Sequence, residues 1–199
     1  MNTVSLFITI FLVLSLGFRL TRLVIAIRKA KFRNSGRTAA RPMFWIMTIS
    51  YVVFLVLCVM ENQRRLNAFS WALSFAGLFL YLTSLTLREK AMHDLGRFFS
   101  PDIEIRHQHQ VVKTGFYRYV RHPLLACMAL EIVGLGMVFN AYATLIFVGF
   151  GVYMPLIYLR KWLEERTLRA ALGEAYRVYE REVGAFWPRW NILSRFHRN

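Results

Sequence analysis

The chain has 199 residues, 56% of them hydrophobic, and a formal net charge of +15. A soluble domain of this length has no interior large enough for so many apolar side chains, and its Lys and Arg residues lie between apolar runs rather than along one polar face. That pattern indicates a membrane protein and argues against a nucleic-acid partner.

The length suits one domain over 1–199, with 1–87 as an N-terminal part and 88–199 as the part carrying the chemistry. Val4–Ile27 is the first apolar run, with Arg19 and Arg22 near its end and placed to snorkel to the headgroups. No Lys or Arg precedes it, and it exceeds signal-peptide length, so a retained helix is expected. Met43–Met60 and Ala68–Leu87 are the second and third expected spans, Leu124–Phe139 and Tyr142–Leu159 the fourth and fifth. Only Asn140 and Ala141 separate the last two, which predicts a tight helical hairpin. The expected class is an all-α integral membrane protein with five transmembrane helices. Cys58 and Cys127 fall inside apolar runs and read as small buried hydrophobes, not as a disulfide.

Charge sets the orientation. Arg28–Arg41, Arg88–Arg121 and the stretch after Leu159 are strongly basic, whereas Glu61–Asn67 carries only Arg64 and Arg65 and Asn140–Ala141 carries no charge. The positive-inside rule puts 28–42, 88–123 and 160–199 in the cytoplasm and the N-terminus outside. The small size and the lack of eukaryotic targeting signals point to a bacterial inner membrane, or to the endoplasmic reticulum in a eukaryote. Beyond Leu159 the residues Leu168, Leu172, Tyr176, Tyr179 and Val183 recur at steps of three and four. This predicts an amphipathic helix on the membrane surface, broken near Gly173.

Two polar, aromatic-rich segments stand out on that face: His109–Leu125 and Arg160–Tyr179. The hairpin between them brings both to one membrane surface, where they can build a site for a polar cofactor. In the first, the Arg121-His122-Pro123 turn is rigid, because proline fixes its own φ and restricts the residue before it. In the second, Arg160 and Glu164 are four apart and share a helix face. Glu164 and Glu165 form an acidic pair that a solvated helix face would also explain. Glu131 lies mid-span, and a membrane carboxyl is a functional hypothesis by default, lining a substrate path or bonding a neighbouring helix. His107 and His109 are two apart, but no Cys or carboxylate completes a metal set, so no metal is expected.

Gly115, Tyr117-Arg118-Tyr119-Val120-Arg121-His122-Pro123, the pair Glu164-Glu165, and then Leu168, Gly173, Glu174, Tyr176, Tyr179 and Pro188 resemble, in order and spacing, the motifs of isoprenylcysteine carboxyl methyltransferases. The resemblance covers roughly 88–190. It implies a bundle of five membrane helices with a cytoplasmic pocket for S-adenosylmethionine. The resemblance further implies cofactor contacts at His109, Gln110, Val111, Val112, Tyr117, His122, Pro123, Leu124, Leu125 and Glu164, with Arg160 facing substrate. Arg160 and Glu164 are the expected catalytic pair, and Arg160 with Glu131 the expected substrate side. The chain departs from the family pattern at Leu125, Cys127, Leu172 and Ala175, where Tyr, Gly, Phe and Glu are usual, and these changes bear mainly on the substrate pocket.

The expected activity is therefore methyl transfer from S-adenosylmethionine to a lipophilic acceptor entering from the bilayer, above all the carboxylate of an isoprenylated cysteine or a similar lipid acid. A phospholipid N-methyltransferase, whose pattern also pairs Arg-His-Pro with two Glu, is the nearest enzymatic alternative. A membrane transporter or scaffold without catalysis is the alternative of another class.

Overall fold

The computed structural model describes residues 2–31, 37–38, 41–64, 69–96, 104–105 and 110–189. The chain folds into helices α1 (Thr3–Lys31), α2 (Arg41–Arg64), α3 (Trp71–Leu95), α4 (Pro123–Val138), α5 (Tyr142–Leu172) and α6 (Glu174–Glu182), with a 3-10 turn at Gly115–Arg118. A two-residue antiparallel ladder pairs Arg37–Thr38 with Glu104–Ile105.

Four stretches are long and apolar enough to cross a membrane: Thr3–Thr21, Pro42–Arg64, Trp71–Leu95 and Tyr142–Leu172. The segment expected as the fourth span forms α4, whose 16 residues cover about 24 Å at 1.5 Å per residue. That falls short of a hydrocarbon core of about 30 Å.

Two further expectations meet the structure differently. The expected break at Gly173 is present: Gly173 has φ 55°, ends α5 and starts α6. The surface helix expected to begin after Leu159 is instead a direct continuation of α5, unbroken to Leu172. Charged residues leave the hydropathy pattern of a span at Arg160, but nothing there breaks backbone hydrogen bonding, so the helix continues. Within α5, Leu145–Tyr153 is π-helical. Pro155 supplies a cause, since it has no amide proton for the carbonyl four residues back and its ring crowds that carbonyl. The amide of Met154 accordingly bonds Gly149.

One end of the bundle is tied by side chains. Asn140 takes φ 52° between α4 and α5. Its Oδ1 accepts from the Ser70 amide at 2.8 Å, and its Nδ2 donates to Ser74 Oγ at 3.1 Å. Asn62 donates to the Phe139 carbonyl at 2.8 Å. The Glu61 carboxylate accepts the amides of Ala143 and Thr144 at 3.0 and 2.8 Å, capping donors that the first turn of α5 would otherwise leave open. The Asn140–Ala141 turn therefore lies beside the end of α2 and the start of α3.

Helix α4 packs along α3 with little side-chain material between them. A Cβ on Gly77 would lie 2.6 Å from Met137 Cβ and Val138 N, and one on Gly134 would lie 2.8 Å from the Tyr81 amide nitrogen. Small residues at such crossings let membrane helices approach closely. Phe54, Ile132, Leu135, Val138 and Phe139 form the fully buried centre of the core, while Trp45, Phe79, Phe147 and Phe150 point outward. An outer surface of this kind suits lipid.

Candidate active site

The Arg-His-Pro turn is held from two directions. Pro123 opens α4 at a position where its missing amide proton costs nothing. The backbone amides of Arg121 and His122 donate to the carbonyls of Gly184 and Ala185 at 2.9 and 3.0 Å. Chain beyond α6 thus lies along the turn, and Val120 and Gly184 form a parallel bridge. The Phe186 ring packs 6.1 Å from His122 and 5.7 Å from Tyr158.

This frame buries the His122 imidazole to 5% exposure. Its Nε2 lies 3.0 Å from Glu165 Oε1 and its Nδ1 lies 3.4 Å from Glu164 Oε2. Burial opposes the imidazolium form, but hydrogen bonds to Glu164 and Glu165 and their charges outweigh it and raise the His122 pKa. Arg160 Nε donates to Glu164 Oε1 at 2.9 Å. The expected i, i+4 pair is therefore formed, and His122 joins it.

Glu165 anchors a second network. It meets Lys161 at 3.1 Å and Arg121 and Arg169 at 3.3 Å each. Arg121 also lies 3.1 Å from Glu180, and Arg169 Nε donates to Glu180 at 2.9 Å. The hydrogen bond from Arg169 outweighs burial, and with Arg121 it holds the Glu180 carboxyl down at about 2. Glu165 thus clamps α5 and α6 against the Arg-His-Pro turn. Tyr179 adds a hydrogen bond from its hydroxyl to the Tyr117 carbonyl at 2.6 Å. The amide of Phe116 donates to Asp94 of α3 at 2.9 Å.

The remaining expected site residues divide into groups. Tyr117 is buried, and desolvation raises its phenol pKa. Gln110 and Val111 line a cleft of about 410 Å³ with Lys113, Leu172, Ala175 and Val178. Val112 and Leu124 are half-buried and Pro123 is buried. Leu125 is 3% exposed and belongs to the main apolar core. His109 lies outside the described residues. Glu131 is buried on α4 in contact with Arg19, Arg88 and Tyr51, apart from the His122 contacts. Among the described residues no group of three or more His, Cys, Asp or Glu is placed to hold a metal.

Sequence reasoning missed Arg121, Arg169 and Glu180 as the support behind His122, and Arg19 and Arg88 as partners of Glu131. In the first group only Arg169 had a local signal, its place four residues after Glu165 on one helix. The second had one: a carboxyl deep in an apolar helix needs a cation, and Arg19 and Arg88 lie at the ends of neighbouring spans.

Residues 75–170 match the sequence model of the Isoprenylcysteine carboxyl methyltransferase (ICMT) family. That stretch is similar to the ICMT family. It contains α4, all but the last two residues of α5, and the Arg-His-Pro turn. Two rice proteins, from Oryza sativa subsp. indica and subsp. japonica, are each 26% identical over 161 residues, covering 77% of this chain and 83% of theirs. Each is called a probable protein-S-isoprenylcysteine O-methyltransferase. A Haemophilus influenzae protein without an assigned function is 25% identical over 166 residues, covering 82% of this chain and 95% of its own length. The matched stretch therefore includes Arg160, Glu164 and Glu165 with His122, whereas α1, α2, α6 and Glu180 lie outside it.

Proposed function

We propose that this protein transfers a methyl group from S-adenosylmethionine to the carboxylate of a lipophilic acceptor, an isoprenylated cysteine or a similar isoprenoid acid. The contact of Glu164 with both Arg160 and His122 carries the proposal, since it joins the two motif segments of the stretch similar to the ICMT family at one point. The reaction takes place at the cytoplasmic face of a five-span bundle in which the short α4 serves as the fourth crossing.

When bound, the cofactor supplies an electrophilic methyl group on a sulfonium. The residues present fit its other groups. Glu164 uses two of about four acceptor positions on Arg160 and His122, which leaves capacity for an ammonium or ribose hydroxyls. Gln110 offers an amide and Val111 an apolar wall beside the 410 Å³ cleft, suited to an adenine edge and face. His109, Val112, Tyr117 and the segment His122–Leu125 complete the cofactor side in this proposal.

Arg160 holds the acceptor carboxylate with its guanidinium fork. A carboxylate is already the nucleophilic form, so no side chain has to remove a proton. The protein positions the acceptor and excludes water, and both effects lower the barrier without covalent catalysis. The Glu165 network keeps His122 and Glu164 in register while Arg160 engages substrate.

Arg160→Ala should lower turnover at least about tenfold, the loss expected of one charge-assisted contact of about 1.4 kcal/mol, while cofactor affinity stays within a factor of two. Arg160→Lys should restore activity in part, since an ammonium lacks the planar fork. Turnover and calorimetric cofactor affinity on the same purified variants decide the outcome. An unchanged turnover would end the carboxylate reading and favour an amine acceptor, beside which a cation is unhelpful.

A further inference from the structure

The bundle contains a charged layer that the proposed reaction does not use. Glu131 of α4 is ion-paired with Arg19 of α1 and, at 3.0 Å, with Arg88 of α3. The Tyr51 hydroxyl of α2 lies 3.5 Å from the same carboxylate. Two guanidinium groups thus face the Glu131 carboxylate, and the charge of the adjacent Glu89 also acts on Arg88. Arg19 Nε is buried without an acceptor among the described residues. The side chains of Arg19 and Arg88 retain 26% and 18% exposure against 3% for Glu131, so the cations are the reachable part. A buried guanidinium donor left without an acceptor is costly unless a ligand atom meets it.

The layer connects to the candidate active site. Met47, one turn from Tyr51 on α2, lies with its sulfur 3.7 Å from the Arg160 guanidinium. Tyr153 of α5 lies within electrostatic range of Arg19, Arg88 and Arg160 together. One face of α2, through Met47 and Tyr51, thus links Arg160 with Arg19.

We infer that Arg19 and Arg88 form a subsite for a second anionic group of the lipid acceptor, a phosphate or an additional carboxylate. Its use in catalysis rests on the proposed methyl transfer, but its occupancy does not. A free oxyanion presents the same chemistry; the apolar helices around the layer favour one delivered on a lipid chain.

The test uses the full-length protein in lipid nanodiscs, without methyl donor, with dodecyl phosphate, dodecanol and inorganic phosphate as probes. Wild type should bind dodecyl phosphate at least about tenfold tighter than dodecanol, the gain of one charge-assisted contact. Arg19→Gln should erase that preference and Arg19→Lys should keep it. Glu131→Gln should tighten dodecyl phosphate binding, because it removes the competing carboxylate. A purely structural brace predicts the opposite for Glu131→Gln, so weakening there overturns the inference even if Arg19→Gln does not fold. Equal binding of dodecyl phosphate by wild type and folded Arg19→Gln also overturns it. Displacement by inorganic phosphate at equal concentration overturns the lipid assignment. Anion preference with no methyl transfer to any acceptor would refute the reaction alone, and methyl transfer with no anion preference would refute the subsite alone.

Discussion

Both ring nitrogens of His122 face carboxylates, and this gives its environment a defined pH signature. Burial disfavours the imidazolium, yet Glu164 and Glu165 raise the pKa overall. A raised folded pKa stabilises below the ordinary histidine value of about 6.5, and the contribution is lost as pH rises through the folded value. Thermal unfolding of the purified protein should therefore show stability falling on the alkaline side of about pH 6.5, with that slope absent in His122→Asn. Glu180 has the opposite sign. Its pKa is depressed to about 2, so its contribution is present above the ordinary glutamate range and disappears as pH falls toward that value. Glu180→Gln should flatten the acid limb between about pH 4.3 and 2. For the cofactor, Glu164→Ala and His122→Ala should each weaken S-adenosylmethionine binding at least about tenfold, near 1.4 kcal/mol, by calorimetry. Unchanged affinity in a folded variant would remove that residue from the cofactor side. The Arg160–Glu164 pair was legible because four-residue spacing on a helix is a local signal. Arg121–Glu180 was not, since their meeting depends on chain beyond α6 returning to the Arg-His-Pro turn.

At the scale of elements, the α3–α4 crossing leaves no room for a side chain at Gly77 or Gly134. Gly134→Leu places a branched side chain where even a Cβ would lie 2.8 Å from the Tyr81 amide nitrogen. Neither backbone can yield without moving the helix, so the variant should lose at least about 2 kcal/mol. Reversible unfolding in mixed micelles checks this, and a loss below 0.5 kcal/mol, roughly the scatter of neutral surface changes, would mean that the crossing tolerates separation. Apolar runs marked the helices well, and the two-residue gap at Asn140–Ala141 correctly announced a hairpin. The extension of α5 through charged sequence to Leu172 was hidden, because a helix leaving the bilayer and a separate surface helix have the same composition. The π segment was hidden as well: both helix types show one apolar surface when every face is apolar. Only Pro155 hinted at it.

For the whole molecule, charge predicts an arrangement with α6 and the Arg-His-Pro turn on the cytoplasmic side. In a background lacking Cys58 and Cys127, a cysteine replacing the exposed Arg177 should react with an impermeant maleimide only after the membrane is opened. Labelling of intact cells would reverse the orientation. Isotope transfer tests carboxyl methyl transfer to a lipid acid. Purified protein would be incubated with methyl-labelled S-adenosylmethionine and a panel comprising a prenylated cysteine, isoprenoid acids and aminophospholipids. Label is expected on the prenylated cysteine or an isoprenoid acid, released as methanol by mild base, the behaviour of a methyl ester. Base-stable label confined to the aminophospholipids, or no transfer by protein that binds the cofactor, would contradict it.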